Sequence, residues 1–172
     1  IDNFPAIEIP VKKGPDFKCV LQDGRLFYVE AVCPKRGEKD NEVVDKPGLV
    51  PTHKIVLRLI SAIKTKWQCY CEYVRQGLVR MDDPFIIAIN SCAIRQTWMD
   101  TTPPYIIQAL FPIDTEYVDV DPHGGGIVNH GFSYLKEITK ERSGSLVSKD
   151  IFTNNKYSGI SAVIYSQLHP YF

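Results

Sequence analysis

Apolar and polar residues alternate in two short runs near the start of the chain, at 17–22 (FKCVLQ) and 25–33 (RLFYVEAVC). Alternation of this kind is typical of β-strands, whose successive side chains point to opposite faces of a sheet. The dipeptide Asp23-Gly24 lies between the runs and is a common hairpin turn. The pattern therefore predicts an antiparallel hairpin, preceded by irregular chain over residues 1–14.

A longer pattern with helical periodicity covers residues 51–77. Pro51 and Thr52 provide a start signal and Gly77 a stop signal. The apolar stripe between them consists of Ile55, Leu59, Ile63, Trp67, Tyr70 and Val74, widened by Val56, Ile60 and Cys71. A neighbouring row at four-residue spacing holds Arg58, Ala62, Lys66 and Tyr70. We expect a long helix whose apolar face covers a sheet.

The sequence pattern in the second half of the chain predicts shorter helices and strands. The apolar run at 84–90 predicts a fully buried strand, 115–121 and 160–166 predict strands, and 104–111 favours a short helix over a strand. The run HGGGIVNHG at 123–131 predicts a loop, and 132–141 fits either a helix or a strand. The order of hairpin, helix and strands predicts an α/β fold with a mixed sheet.

Composition limits the class of protein. A chain of 172 residues with 44% hydrophobic and 23% charged residues is typical of a single folded domain. The net charge is zero, so the chain lacks the overall basic character that often accompanies nucleic-acid binding, although a local basic patch stays open. The longest apolar runs are too short to span a bilayer, which predicts no membrane contact.

The five cysteines include no CxxC pair, and we expect reduced thiols in a cytoplasmic protein rather than a zinc site. The chain begins with Ile1 rather than Met, which favours a processed or trimmed piece of a longer protein.

Two acids give the first indication of chemistry. Glu30 interrupts the apolar strand LFYVEAV, and Asp16 follows Pro15 at the start of the neighbouring strand. A buried carboxylate is costly unless it is paired or coordinates a metal, and Mg²⁺ binds through one or two carboxylates. We expect a metal, rather than a salt-bridge partner, to offset the burial of Glu30. The alternative is that both acids lie on the surface of an exposed hairpin.

These residues carry a family resemblance. GPDF followed by LFYVEA resembles the PD-(D/E)xK nuclease superfamily, which has the restriction-endonuclease-like fold, and the likeness extends over residues 14–166. The resemblance implies that Asp16 and Glu30 bind Mg²⁺ and that the chain hydrolyses phosphodiester bonds of nucleic acid, with DNA favoured over RNA.

The chain departs from the superfamily pattern at the lysine. Val32 stands two positions after Glu30, where the superfamily usually has a catalytic lysine. The resemblance implies a lysine supplied from the following helix, and Lys66 is the best candidate; Lys64 and Lys35 are weaker ones. Arg58 and Lys64 are the expected substrate-binding residues. A solvated helix face holding Arg58, Lys64, Lys66 and Arg75 remains the alternative.

The second departure is at the front of the chain. The superfamily fold opens with a helix, which residues 1–14 cannot form because they contain Pro5 and Pro10, and Glu8 is a poor substitute for the glutamate of that helix. We therefore predict that residues 1–172 are a single nuclease-like domain of a longer chain. Its α/β, restriction-endonuclease-like mixed β-sheet is flanked by helices, and the opening helix is absent.

An alternative function stays open. A catalytically inactive nuclease-fold module would act in binding or scaffolding, in contact with other domains of the same protein or with a second copy.

Three weaker motifs indicate other chemistry. The HGGG run beginning at His123 lacks the GxSxG motif of an esterase, and the spacing of His123 and His130 fits no zinc site. The acids of 117–121 lack the remaining ligands of an EF-hand.

Overall fold

The computed structural model describes residues 14–38, 42–46, 50–99, 101–141 and 143–168. In chain order its strands are β1 (Phe17–Val20), β2 (Leu26–Val32), β3 (Phe85–Asn90), β4 (Ile113–Val120), β5 (Ile127–Tyr134), β6 (Glu137–Thr139), β7 (Leu146–Ser148) and β8 (Ala162–Ser166). Its α-helices are α1 (Thr52–Arg75) and α2 (Tyr105–Leu110). The chain is thus a mixed α/β protein. The predictions about Glu8 and the opening helix fall on residues 1–13, outside the described ranges.

A four-stranded mixed sheet in the order β1-β2-β3-β8 forms the centre of the molecule. Strands β1 and β2 are antiparallel, as the Asp-Gly turn predicts, and Gly24 in that turn has a φ of 81°, which favours glycine. Strands β2, β3 and β8 run parallel to one another. Helix α1 connects β2 to β3, in the manner of a βαβ unit. The carboxyl ends of these strands therefore meet at one edge of the sheet.

Helix α1 supplies much of the apolar core. Its buried residues are Ile55, Val56, Leu59, Ile60, Ala62, Ile63 and Tyr70, which confirms the predicted stripe, and Trp67 and Val74 pack against the same core. Cys71 is exposed, so its predicted place on the stripe is wrong. Strand β3 alternates buried and half-buried residues, with Phe85, Ile87 and Ile89 in the core. The predicted helix and the strand after it are confirmed to within two residues.

Two hairpins lie outside the central sheet, β4-β5 and β6-β7. The predicted loop at 123–131 is wrong from Ile127 onward, because β5 pairs with β4 in an antiparallel ladder. Asn129 and Gly131 weaken the strand pattern in the sequence, but the backbone hydrogen bonds from β4 stabilise the strand. Residues 104–111 form the short helix α2, as predicted. Among the described residues, no helix is both long and apolar enough to cross a membrane.

Candidate functional site

Glu30 and Lys66 form the centre of a polar cluster between the sheet and α1. Glu30 lies on the face of β2 that is turned toward the core, and only 1% of its surface is exposed. The ammonium nitrogen Nζ of Lys66 donates a hydrogen bond to Oε2 of Glu30 at 2.5 Å. A salt-bridge partner therefore contributes to offsetting the burial of Glu30, contrary to the expectation of a metal rather than a salt-bridge partner.

Tyr73 completes the contacts of the buried carboxylate. Its hydroxyl group donates a hydrogen bond to Oε1 of Glu30 at 2.6 Å, so each carboxylate oxygen has a donor. Tyr73 lies seven residues after Lys66 on α1, which is two helical turns and therefore the same face. Sequence reasoning missed this residue, although its spacing from Lys66 was a usable signal.

Asp16 lies beside the same cluster at the entrance from solvent. It directly precedes β1, and the pairing of Phe17 with Val29 brings it next to the middle of β2. Its Oδ2 accepts a hydrogen bond from the backbone N–H of Ala31 at 2.8 Å and lies 3.8 Å from Nζ of Lys66. The side chain is 45% exposed. The structure thus brings together Asp16, Glu30 and Lys66, the three predicted catalytic residues.

Burial disfavours the charged form of both partners of the ion pair, but their neighbours compensate to different extents. Burial raises the pKa of Glu30, and the hydrogen bonds from Lys66 and Tyr73 offset this only in part. The neighbouring Asp16 carboxyl group also acts to raise the pKa of Glu30. For Lys66, burial acts against the charged form, but the hydrogen bond and charge of Glu30 and the charge of Asp16 together raise its pKa. Lys66 is therefore a cation at neutral pH rather than a free base.

The other predicted basic residues are not part of this cluster. Arg58 precedes Lys66 by two helical turns, about 12 Å along α1, and its Nε donates to the backbone carbonyl of Lys35 at 2.9 Å. Lys64 contacts the carbonyl of Ser148 at 3.5 Å, on another side of the helix. Arg58 instead borders a cleft of about 210 Å³, lined by His53, Lys54, Leu57, Arg58, Ser61, Thr139, Lys140 and Glu141.

Other candidate ligands lie elsewhere. His130 pairs with Glu116 at 2.5 Å on the exposed β4-β5 hairpin. Within the described part of the chain, no group of three or more His, Cys, Asp or Glu residues is arranged to hold a metal ion.

A magnesium ion can nevertheless be held by fewer than three protein side chains. Mg²⁺ commonly binds through one or two carboxylates and fills its remaining positions with water and phosphate oxygens. Asp16 and Glu30 supply two carboxylates that approach the same ammonium group, one buried and one open to solvent. Carboxylate oxygens are the ligand type that Mg²⁺ prefers, and a bound cation would replace part of the contact that both acids make with Lys66.

Comparisons with protein-family models, with curated proteins and with solved structures gave no match.

Proposed function

We propose that this chain is a Mg²⁺-dependent nuclease domain that hydrolyses phosphodiester bonds of nucleic acid, with DNA as the favoured substrate. The observation that carries the proposal is the convergence of Asp16 and Glu30 on Lys66. These are two acids and one lysine drawn from a hairpin and the following helix. A metal-dependent phosphodiesterase needs acids that hold the metal, and it often uses a lysine that orients the attacking water or stabilises the developing charge.

The topology around the cluster supports a restriction-endonuclease-like fold. An antiparallel pair of strands carries the acids, a helix follows, and the next strand pairs in parallel with the second strand of the hairpin. The site lies near the carboxyl end of β2, and ligands of parallel α/β sheets bind at that edge. The proposed domain is cytoplasmic.

Each residue has a distinct role in the proposed reaction. Asp16 and Glu30 would hold the cation, which when bound supplies positive charge to the phosphate and lowers the pKa of a coordinated water. Lys66 is protonated, so it would donate hydrogen bonds to the attacking water or to a phosphate oxygen and stabilise the negative charge of the pentacovalent transition state. Tyr73 would hold the carboxylate of Glu30 in place.

Phosphate binding away from the reacting bond is proposed for Arg58 alone. Its guanidinium group borders the cleft beside α1 and lies on the same row of the helix as Lys66. Lys64 does not share this position because its ammonium group contacts Ser148. We therefore leave Lys64 out of the proposed substrate contacts.

A second function is favoured by one specific observation. Lys66 and Tyr73 already satisfy both oxygens of Glu30, which is also what a purely structural ion pair requires. A nuclease-fold module that no longer cuts, and that binds other domains or a second copy, would retain this pair for stability. The two functions differ in whether Asp16 is needed for metal binding.

Titration calorimetry with Mn²⁺, used as a probe for Mg²⁺, tests the proposal. We would compare the wild-type chain, Asp16→Asn and the matched control Asp23→Asn, because Asp23 is an exposed acid of the same hairpin. The expected result is binding by the wild type and the control, and loss of at least tenfold in affinity for Asp16→Asn. Cleavage of a supercoiled plasmid with Mg²⁺ would follow for the same three proteins.

The outcomes separate the two functions. Metal binding that depends on Asp16, together with plasmid nicking, supports the nuclease. Absence of metal binding in the wild type overturns the nuclease proposal and favours the inactive module. Equal binding by Asp16→Asn and the wild type would mean that the cation binds elsewhere, which also overturns the proposed site.

A further inference from the structure

Two cysteines that are far apart in sequence meet at the carboxyl edge of the central sheet. Cys33 directly follows β2, and Cys92 follows β3 by two residues. The two strands are parallel neighbours, with Val32 aligned with Ile89. The Sγ atoms of Cys33 and Cys92 lie 4.0 Å apart, although 59 residues separate the two positions.

We propose that Cys33 and Cys92 form a reversible disulfide bond that links the carboxyl ends of β2 and β3. A disulfide has an S–S length of about 2.05 Å, so closure requires the two sulfur atoms to approach by about 2 Å. Rotation of the side chains and a small shift of the backbone at Cys33 can supply this movement. The proposal does not depend on the nuclease function.

The surroundings assign the movement to Cys33. The backbone N–H of Cys92 donates to Oδ1 of Asn90 at 3.1 Å, and the preceding Ser91 is completely buried. The hydroxyl group of Ser91 also contacts Tyr165 at 2.9 Å, which fixes this corner to β8. Cys33, in contrast, is exposed and lies in chain without regular secondary structure. One sulfur is therefore held in place while the other can approach it.

The exposure of the two thiols also sets the order of the reaction. Cys33 is accessible to an oxidant, whereas Cys92 is half-buried. Burial raises the pKa of Cys92, and the neighbouring Cys33 raises it further. Since the thiolate is the reactive form, Cys33 is the first thiol to react and Cys92 is the resolving thiol.

The reaction balances with a small disulfide such as oxidised glutathione. The thiolate of Cys33 attacks one sulfur of the oxidant, which releases one glutathione thiol and leaves a mixed disulfide on Cys33. The thiolate of Cys92 then attacks the sulfur of Cys33 and releases the second glutathione thiol. Two protein thiols are oxidised to one disulfide, the oxidant is reduced to two thiols, and dithiothreitol reverses both steps.

The link would act on the chain that follows β2. Cys33 starts the segment whose Lys35 carbonyl accepts the hydrogen bond from Arg58, and it lies three residues after Glu30. The disulfide bond would also link two positions that are far apart in the sequence, which reduces the conformational entropy of the unfolded chain. We expect the oxidised protein to have a Tm higher than the reduced protein by roughly 5–10 °C.

Oxidation followed by alkylation and mass spectrometry tests the proposal. The wild-type chain, Cys33→Ser, Cys92→Ser and the control Cys71→Ser would be incubated with oxidised glutathione, quenched with N-ethylmaleimide and digested without reduction. Cys71 is a suitable control because it is an exposed cysteine on α1. The expected result is a peptide joining Cys33 to Cys92 in the wild type and in Cys71→Ser.

The single variants identify the intermediate. Cys92→Ser should retain one glutathione adduct on Cys33, because the resolving thiol is missing. Cys33→Ser should form neither the adduct at that position nor the linked peptide. The proposal is overturned if the wild-type protein keeps both thiols, if it stops at the mixed disulfide, or if the linked peptide contains a different pair of cysteines.

Discussion

Lys66 reaches across from α1 to Glu30 on β2, and its Nζ lies 2.5 Å from a carboxylate that is 98% buried as a side chain. The ion pair thus joins the main helix to the central sheet inside the core. Breaking such a pair from one side leaves an uncompensated buried charge, whereas replacing both partners with apolar residues is often neutral. Comparing a single variant with the double variant therefore measures how much the ion pair contributes to the free energy of unfolding.

The variant Lys66→Met should lower the free energy of unfolding by about 3 kcal/mol, because it leaves Glu30 without its cation. The double variant Glu30→Met/Lys66→Met should recover much of that loss. Urea unfolding of both variants measures the difference, with the exposed Lys140→Met as a control that should change little. A double variant less stable than Lys66→Met would contradict this account of the pair.

Tyr73→Phe removes one hydrogen bond from the buried carboxylate and keeps the aromatic ring. We expect a loss of about 2 kcal/mol in unfolding free energy, the range for a hydrogen bond to a charged group. The hydroxyl group of Tyr73 lowers the pKa of Glu30, so its removal should raise that pKa further. Unfolding curves measure the first effect. A pH titration of Mn²⁺ binding measures the second, and the binding curve should move to higher pH.

A second buried ion pair joins β4 to the residue after β7. Lys149 is completely buried, and its Nζ lies 2.7 Å from Oδ1 of Asp114, with His53 at 3.7 Å from the same oxygen. Burial acts to raise the pKa of Asp114, but the hydrogen bond and charge of Lys149, with smaller contributions from Thr115 and His53, lower it overall. A lowered pKa in the folded state stabilises the protein above the unfolded-state pKa, near 3.9.

This stabilisation should disappear as the pH falls below about 4 and through the lower folded-state pKa of Asp114. Asp114→Asn should therefore reduce the stability by about 3 kcal/mol at pH 7 and should reduce the difference from the wild type in acid. Urea unfolding between pH 7 and pH 3 measures both effects. Asp82→Asn, which changes an exposed acid, provides the control. An equal loss for Asp114→Asn at every pH would argue against the ion pair as its cause.

Gly159 lies against the ring of Tyr70, which is a buried residue of α1. A Cβ atom at this position would overlap three atoms of the Tyr70 side chain, two ring carbons and the hydroxyl oxygen, the last at 2.7 Å. Tyr70 cannot easily move, because its ring also packs on Phe85 with a centroid distance of 4.8 Å. We expect Gly159→Ala to destabilise the protein by about 2 kcal/mol or more.

Thermal unfolding of Gly159→Ala checks this expectation against Gly126→Ala. A Cβ atom at Gly126 would meet no atom within 4 Å, so this variant should differ little from the wild type. Similar Tm values for the two variants would show that the contact with Tyr70 relaxes at low cost.

The sequence by itself determined the elements whose periodicity follows from one buried face. The stripe through Ile55, Leu59 and Ile63 predicted α1, and the alternation around Glu30 predicted β2, because each pattern repeats the geometry of its own backbone. The family resemblance implied a lysine on this helix, and the row beside the apolar stripe selected Lys66, which the structure brings to Glu30. Local patterns are sufficient to predict a residue's surroundings when its position on a helix or a strand decides which way its side chain points.

Only the tertiary structure decided which groups meet across the fold. The approach of Cys33 to Cys92 depends on the parallel register of β2 and β3, and the pairing of Lys149 with Asp114 joins two separate hairpins. Strand β5 likewise forms because β4 supplies its hydrogen bonds, despite Asn129 and Gly131. None of these contacts leaves a periodic signal, because their energy comes from partners that are distant in the sequence.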